Sequence, residues 1–238
     1  MKFSQVSTAA YLAGVTTLAV SLPAFAEERS YNLSGFDGIA ISSGLSAEVE
    51  IGPEFTVTAE ASSRRTLNRL DIRVRGDTLI VERDHGWLDF SLFAARRDAT
   101  IRITLPDLKL IRASAGSDVY VSGQYGDSLR AEASSGADLD LDNVSGSSLQ
   151  FKASSGSDLR AEGACGSLDV TASSGANIRA DALICKEIAA HVSSGADIRA
   201  HATDTATARA SSGGDVRISG SPAVVDKTES SGGDVHLE

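Results

Sequence analysis

Residues 133–139 have the sequence ASSGADL, and variants of this phrase recur through the second half of the chain. The glycines of the copies are Gly116, Gly136, Gly156, Gly175, Gly195, Gly213 and Gly232. They lie 18 to 20 residues apart, a repeat length that is typical of solenoid proteins. The even spacing therefore predicts a solenoid with about 20 residues per turn.

Apolar and polar residues alternate on both sides of each Ser-Ser-Gly group. Residues 149–153 read LQFKA before one such group, and residues 158–161 read DLRA after it. A period of two indicates strands with one buried face, and no stretch carries an apolar stripe of helical length. The sequence thus predicts an all-β parallel β-helix, whose rungs stack about 4.8 Å apart.

The Ser-Ser-Gly group is predicted to form the corner between two strands, because glycine adopts backbone angles that other residues avoid. Alternation then places the residue two positions after the glycine on the outside of every rung. These residues form a surface ladder: Asp118, Asp138, Asp158, Asn177, Asp197, Asp215 and Asp234. An arginine row is expected beside it: Arg160, Arg179, Arg199 and Arg217.

The aspartate ladder has two interpretations. In the structural one, each Asp hydrogen-bonds backbone groups of its own corner, and the arginine row offsets the repulsion between like charges on adjacent rungs. In the functional one, the ladder binds a cation or another ligand. Calcium-binding repeats also contain Gly-x-Asp, but they have a period of nine residues. The sequence favours the structural interpretation and predicts neither a metal nor a cofactor.

Three segments are expected along the chain. Residues 1–26 resemble a signal peptide, with Lys2 before the apolar stretch 9–22 and a small-residue cleavage motif at 24–26. The mature protein would start at Glu27 and be exported to the periplasm, the cell surface or the medium, without stable insertion in the membrane. Residues 27–105 are expected to form a β segment that caps the solenoid, and 106–238 to form the repeats.

The two cysteines occupy equivalent positions in successive repeats. Cys165 precedes Gly175 by the same number of residues as Cys185 precedes Gly195. Positions stacked one rung apart lie within the Cα–Cα range of a disulfide, and an exported protein meets an oxidising compartment. The spacing predicts a Cys165–Cys185 disulfide between neighbouring rungs.

Two stretches together resemble a known bacterial family. Residues 36–52 read FDGIAISSGLSAEVEIG, and residues 105–123 read LPDLKLIRASAGSDVYVSG. With the serine-glycine repeats, they make the chain similar to the head GIN domain family, a family without an established function whose label is auto-transporter adhesin. The resemblance implies a right-handed β-helix in an exported protein, and it supplies no catalytic residues. This sequence is not expected to supply a C-terminal outer-membrane barrel.

Two classes of function are compatible with this pattern. The first is a non-enzymatic module for adhesion, scaffolding or envelope-associated binding, whose partner is an unidentified protein or glycan. The second is a lyase or hydrolase that cleaves acidic polysaccharides, with Asp138, Asp140, Asp158 and Arg160 as candidate catalytic residues. The sequence favours the first, because these four residues belong to the repeat and few aromatic residues are available to stack on sugars.

Other motifs carry weaker signals. Arg75-Gly76-Asp77 spells an integrin-recognition tripeptide, but Gly-Asp between two strands is also an ordinary hairpin turn. His85, His191, His201 and His236 lack metal-ligand spacing and are interpreted as surface residues. The net charge of −10 and the absence of clustered Lys and Arg argue against a nucleic-acid partner.

Overall fold

The computed structural model of the protein describes residues 27–84, 99–123 and 126–238. The predicted signal peptide and His85 lie outside the described residues. Within them the chain is nearly all β, with one short helix, α1 (Arg64–Leu67). The strands are β1 (Glu27–Ser30), β2 (Gly38–Ile41), β3 (Ser46–Ile51), β4 (Thr56–Ala61), β5 (Leu70–Arg75), β6 (Thr78–Arg83), β7 (Ala99–Leu105), β8 (Leu110–Ala113), β9 (Asp118–Ser122), β10 (Ser128–Ser134), β11 (Asp138–Ser154), β12 (Asp158–Ser173), β13 (Asn177–Val192), β14 (Asp197–Ser211), β15 (Asp215–Ser219), β16 (Val224–Ser230) and β17 (Asp234–Leu237).

Two parallel ladders of strands form the solenoid. Ladder A contains, in order, β6, β2, β8, β10, the second halves of β11 to β14, and β16. Ladder B contains β7, β3, β9, the first halves of β11 to β14, β15 and β17. The predicted β-solenoid with about 20 residues per turn is therefore confirmed.

The Ser-Ser-Gly groups form the corners from ladder A to ladder B. Ser135 and Gly136 both have positive φ angles, 54° and 69°, and the Ala137 N–H donates to the Ser134 carbonyl at 3.2 Å. Two consecutive residues with positive φ, enclosed by this hydrogen bond, form a type I′ turn, a turn type in which glycine is common. The Gly136 N–H also donates to the Ser155 carbonyl of the next rung at 3.1 Å. The corners therefore stack through their own hydrogen bonds.

An eighth corner lies outside the seven predicted ones. Ser43 and Gly44 have φ angles of 67° and 66°, and the Gly44 N–H donates to the Ala115 carbonyl at 3.0 Å. The signal for it is present in the sequence, where Ser42-Ser43-Gly44 precedes strand β3. The sequence analysis did not recognise it as a copy of the repeat, because Ser46 occupies the position that Asp occupies in most copies.

The N-terminal segment contributes rungs as well as covering strands. Strand β2 pairs with β6 on one side and with β8 on the other, and β3 lies in the same way between β7 and β9. Both ladders therefore extend across the predicted boundary between the N-terminal segment (27–105) and the repeats (106–238). At the N-terminal end, β5 covers β6 and β4 covers β7, both antiparallel, and β1 pairs with β4. These strands occupy edges that a bare parallel ladder would expose.

Small aliphatic side chains fill the interior in stacked rows. One row in ladder A contains Leu129, Leu149, Leu168 and Ile188, all of them buried. A second row runs through Ile111, Ala131, Phe151, Val170, Ala190 and Ala208, all of them buried. The short side chain of the adjacent Ala131 leaves room for the ring of Phe151, which is the largest side chain in this row.

In β16, the last strand of ladder A, charged residues occupy positions that are buried and apolar in the preceding strand. Lys227 and Glu229 pair in register with the buried residues Ala208 and Ala210 of the preceding rung. The Glu229 carboxylate accepts hydrogen bonds from the Val235 N–H at 2.9 Å and from Lys227 at 3.2 Å. Charged side chains in such positions oppose the addition of a further strand, so they protect this edge.

Candidate functional site

The seven residues of the predicted surface ladder lie in one row on ladder B. Asp118, Asp138 and Asp158 pair in register, and the row continues through Asn177, Asp197, Asp215 and Asp234. The row two positions further along each strand contains Arg102, Glu48, Tyr120, Asp140, Arg160, Arg179, Arg199, Arg217 and His236. Between Arg102 and Arg160 this row contains no arginine. The face is therefore acidic from Glu48 to Asp140, and it is mixed beyond Asp140.

At two of the corners, a buried serine hydroxyl group binds the corner backbone. The Ser157 Oγ accepts from the Ser154 N–H at 3.1 Å and donates to the Ala133 carbonyl at 2.9 Å. Ser117 makes the equivalent bond with the Ser114 N–H at 3.0 Å, and both serines are fully buried. The Asp158 carboxylate points away from its corner and accepts from the Asn177 amide at 3.0 Å. The predicted bond from Asp158 to its own corner is therefore replaced by a bond to the next rung.

The Asp158 contacts lead to a prediction about two residues in equivalent repeat positions. Asp158→Ala should lower the free energy of unfolding by about 0.5–1 kcal/mol, because Asn177 and Arg179 lose their shared acceptor. Asp197→Ala should change it by less than about 0.5 kcal/mol, as is usual for surface substitutions. Urea denaturation followed by circular dichroism measures both. Equal losses would indicate that the repeat position, and not the partner, determines the contribution.

The acidic half of ladder B contains carboxylates that perturb one another. Burial raises the pKa of Asp138, and the charges of Asp118, Asp158 and Asp140 raise it further. A hydrogen bond to Asp142 raises the pKa of Glu162, and the same bond, together with one from Tyr120, lowers the pKa of Asp142. The Tyr120 hydroxyl donates to Asp142 at 2.8 Å. The sequence analysis missed the Asp142–Glu162 pair. A signal for it exists, because Asp142 is the last acid of the alternating run DLDLD at 138–142, and Glu162 follows the equivalent run DLRA at 158–161.

The four candidate catalytic residues are neighbours, but they lie on an open face. Asp138 pairs in register with Asp158, and Asp140 with Arg160, which approaches the Asp140 carboxylate to 3.6 Å. The side chains of Arg160 and Asp140 are 60% and 50% exposed. Glycosidases hold a bond between two carboxylates, whereas these project from the same side of one sheet. The geometry is that of a charged surface rather than of a cleft.

The remaining predicted motifs have ordinary surroundings. Gly76 and Asp77 connect β5 to β6 as a two-residue turn, and the Asp77 carbonyl accepts the Gly38 N–H at 3.0 Å. His201 contacts the Ser219 hydroxyl at 3.1 Å through Nδ1. Among the residues that the structure describes, no three His, Cys, Asp or Glu side chains converge as a metal site requires.

The third side of the solenoid, between ladder B and the next strand of ladder A, contains the disulfide. Cys165 and Cys185 pair in register on β12 and β13, with Cα atoms 4.5 Å apart, and their sulfur atoms are bonded. The predicted disulfide is therefore present. It joins two adjacent rungs close to the middle of the repeats.

The outer face of ladder A contains a three-residue ionic cluster. The Glu132 carboxylate accepts hydrogen bonds from the Arg112 Nε at 2.7 Å and from the Arg130 Nε at 2.6 Å, and its side chain is 22% exposed. Burial by itself would raise the pKa of Glu132, but the hydrogen bonds from the two arginines outweigh it and lower the pKa. The cluster joins β8 to β10.

A pH-dependent loss of stability is expected on changing this cluster. Glu132→Gln should lower the free energy of unfolding by about 1–2 kcal/mol near pH 7, because two charged hydrogen bonds weaken. A lowered folded-state pKa stabilises the protein above the unfolded-state pKa, and this stabilisation disappears as the pH falls through the folded-state pKa. The variant and the wild type should therefore converge in acid. Urea denaturation across that range tests this, with Asp169→Asn on the same face as the control, and a difference that persists in acid would contradict it.

The structure defines a class of protein: a β-solenoid with flat sheet faces, one of which carries two long rows of charged side chains. The chain belongs to the family described as "Putative auto-transporter adhesin, head GIN domain", whose model matches residues 35–222. The resemblance seen in the sequence is therefore confirmed. A comparison with curated proteins found no match.

Solved structures with the same fold cover most of the chain. A "putative adhesin" from Bacteroides fragilis is 18% identical with a TM-score of 0.78, and 90% of this chain and 97% of that chain are covered. A "putative adhesin" from Parabacteroides merdae is 15% identical with a TM-score of 0.69, at 90% and 96% coverage. A "putative lipid binding protein" from Parabacteroides distasonis is 15% identical with a TM-score of 0.61, also at 90% and 96%. At these identities the similarity shows the fold alone.

Proposed function

We propose that the protein is an exported, non-enzymatic binding module of the adhesin type, which acts through the long face of ladder B. The observation that carries this proposal is the unbroken register of the outward rows from Ser46 to Asp234. A flat surface that repeats at every rung can contact an extended partner at several equivalent positions, and many weak contacts then add up.

The family description supports a role in adhesion, and the N-terminal sequence supports export. The proposal includes removal of residues 1–26 and a mature protein that begins at Glu27, in the periplasm or at the cell surface. No helix among the described residues is long and apolar enough to span a membrane. Intact mass of the exported protein tests the cleavage, and a chain that retains Met1 would contradict it.

An enzyme that cleaves acidic polysaccharides remains the second candidate, because one observation favours it. The pKa of Asp138 is raised by burial and by neighbouring carboxylates, and a proton donor in a glycosidase needs such a shift. Against it stands the open position of Asp138 on a flat face, which does not exclude water and does not surround a substrate.

One experiment separates the two candidates. The mature protein is applied to a glycan array, and each glycan that binds is then incubated with the protein while new reducing ends or unsaturated products are measured. The binding module should retain glycans without product. Product formation that Asp138→Asn abolishes, with unchanged thermal stability, would instead establish the enzyme. A matched control is Asp234→Asn, at the end of the same row.

A further inference from the structure

Four successive rungs of ladder B carry Arg160, Arg179, Arg199 and Arg217, which fall into two pairs with different surroundings. Arg160 lies 3.6 Å from the Asp140 carboxylate, and Arg179 lies 3.5 Å from the Asp158 carboxylate of the preceding rung. For Arg199 and Arg217, no carboxylate of the described residues lies within 4.0 Å. Two cationic groups on adjacent rungs are therefore without a direct counter-ion in the part of the chain that the structure describes.

A break in the repeat places a neutral residue at the position one rung back from Arg199. Arg179 takes its counter-ion from the aspartate row one rung back, at Asp158. The equivalent residue for Arg199 is Asn177, because Asn177 pairs with Asp197 while Arg179 pairs with Arg199. Asn177 is neutral, and its amide group donates to Asp158 at 3.0 Å. The one position where the ladder lacks an acid is thus the one that would have neutralised Arg199.

A groove lies beside these two arginines. It has a volume of about 280 Å³ and is lined by Asp181, Arg199, Ala200, Arg217, Ser219 and Glu238. Arg199 and Arg217 supply planar groups that donate paired hydrogen bonds to a carboxylate. Asp181 and Glu238 supply acceptors, and Ser219 supplies a hydroxyl group that already contacts His201 Nδ1 at 3.1 Å. The lining therefore combines a site for one anionic group with several sites for hydroxyl groups.

We propose that this groove binds an acidic glycan, with a sugar carboxylate held between Arg199 and Arg217 and with sugar hydroxyl groups bound by Asp181 and Ser219. The proposal deepens the proposed function, on which it rests, by naming the ligand class. A dense polyanion does not fit, because Asp181 and Glu238 line the same groove as the arginines. A neutral glycan leaves the two guanidinium groups without a counter-ion.

The test uses the mature protein, a trimer of galacturonic acid as the probe, and isothermal titration calorimetry. The trimer should bind, and the corresponding neutral galactose trimer should bind at least about tenfold more weakly, as the loss of a charged hydrogen bond implies. Arg199→Gln and Arg217→Gln should each weaken binding of the acidic trimer by a similar factor. Arg209→Gln is the matched control, because Arg209 is an exposed arginine of ladder A and does not line the groove.

A second variant tests the role of the repeat break. Asn177→Asp gives Arg199 a carboxylate one rung back, as Asp158 provides for Arg179. The variant should therefore bind the acidic trimer several-fold more weakly while the protein remains folded. An unchanged affinity in Asn177→Asp, or an equal loss in Arg209→Gln, would overturn the proposal. Displacement of the trimer by an equal concentration of inorganic phosphate would also overturn it, because the site would then select phosphate.

The outcomes also separate this inference from the proposed function. If the galacturonate trimer does not bind but other glycans on the array do, the groove assignment fails and the binding module stands. If the trimer binds and is cleaved, the non-enzymatic function fails, while the ligand class and the roles of Arg199 and Arg217 stand.

Discussion

We expect Phe151→Ala to lower the free energy of unfolding by about 3–5 kcal/mol, the largest loss for any single side chain of the repeats. Phe151 is fully buried, and its in-register neighbours in ladder A are Ala131 and Val170. These side chains are too short to fill the space of the ring, and hydrogen bonds to both adjacent rungs hold the strand in place. A cavity would therefore persist after the substitution.

Urea denaturation of the purified protein measures this effect. Phe151→Leu is the graded control, and it should lose less because most of the apolar volume is kept. Val224→Ala is the surface control, since Val224 is 61% exposed and its change should stay within about 0.5 kcal/mol. A loss below about 1 kcal/mol for Phe151→Ala would mean that the interior relaxes around the missing ring.

The second large effect is expected from the disulfide. The double variant Cys165→Ala/Cys185→Ala should unfold with a free energy about 3 kcal/mol lower, because the bond closes a loop with a sequence separation of 20 in the unfolded chain. Either single substitution should have nearly the same effect, since each removes the same bond. Reduction of the wild type should reproduce the loss.

Thermal unfolding with and without a reducing agent is the direct measurement. The double variant is the control for this experiment, because its transition should not respond to reduction. An unchanged wild-type transition after complete reduction, verified by thiol titration, would show that the strand pairing of β12 and β13 alone determines the stability of these rungs.

The repeats could be predicted in detail because their information is local. The alternation at 149–153 and 158–161 indicates strands, and equal spacing from the corner places Cys165 beside Cys185. The corner glycines follow from the positive φ that a tight turn requires. The helix α1 could not be predicted from periodicity, because its four residues, Arg64–Leu67, are shorter than two helical turns.

The order of the N-terminal rungs could not be predicted for a different reason. Alternation identifies the strands β2 and β6, but it does not say that β6 pairs on the outer side of β2. Likewise, the sequence places the aspartate and arginine rows side by side, but partner choice within them depends on side-chain direction and on the single residue Asn177. At two corners, the hydroxyl groups of Ser117 and Ser157 make the backbone hydrogen bonds that were expected of aspartate.

The insertion of β2 between β6 and β8 has a consequence for the order in which the chain can fold. In the repeats each strand pairs with the strand one turn later, so loops are short and pairing can start at any rung. Ile39 instead pairs with Leu79 and Ile111, which are synthesised much later. Closing these longer loops costs more conformational entropy. Strand β2 leaves the ribosome before the repeats do, and it is nevertheless expected to acquire its native neighbours after them.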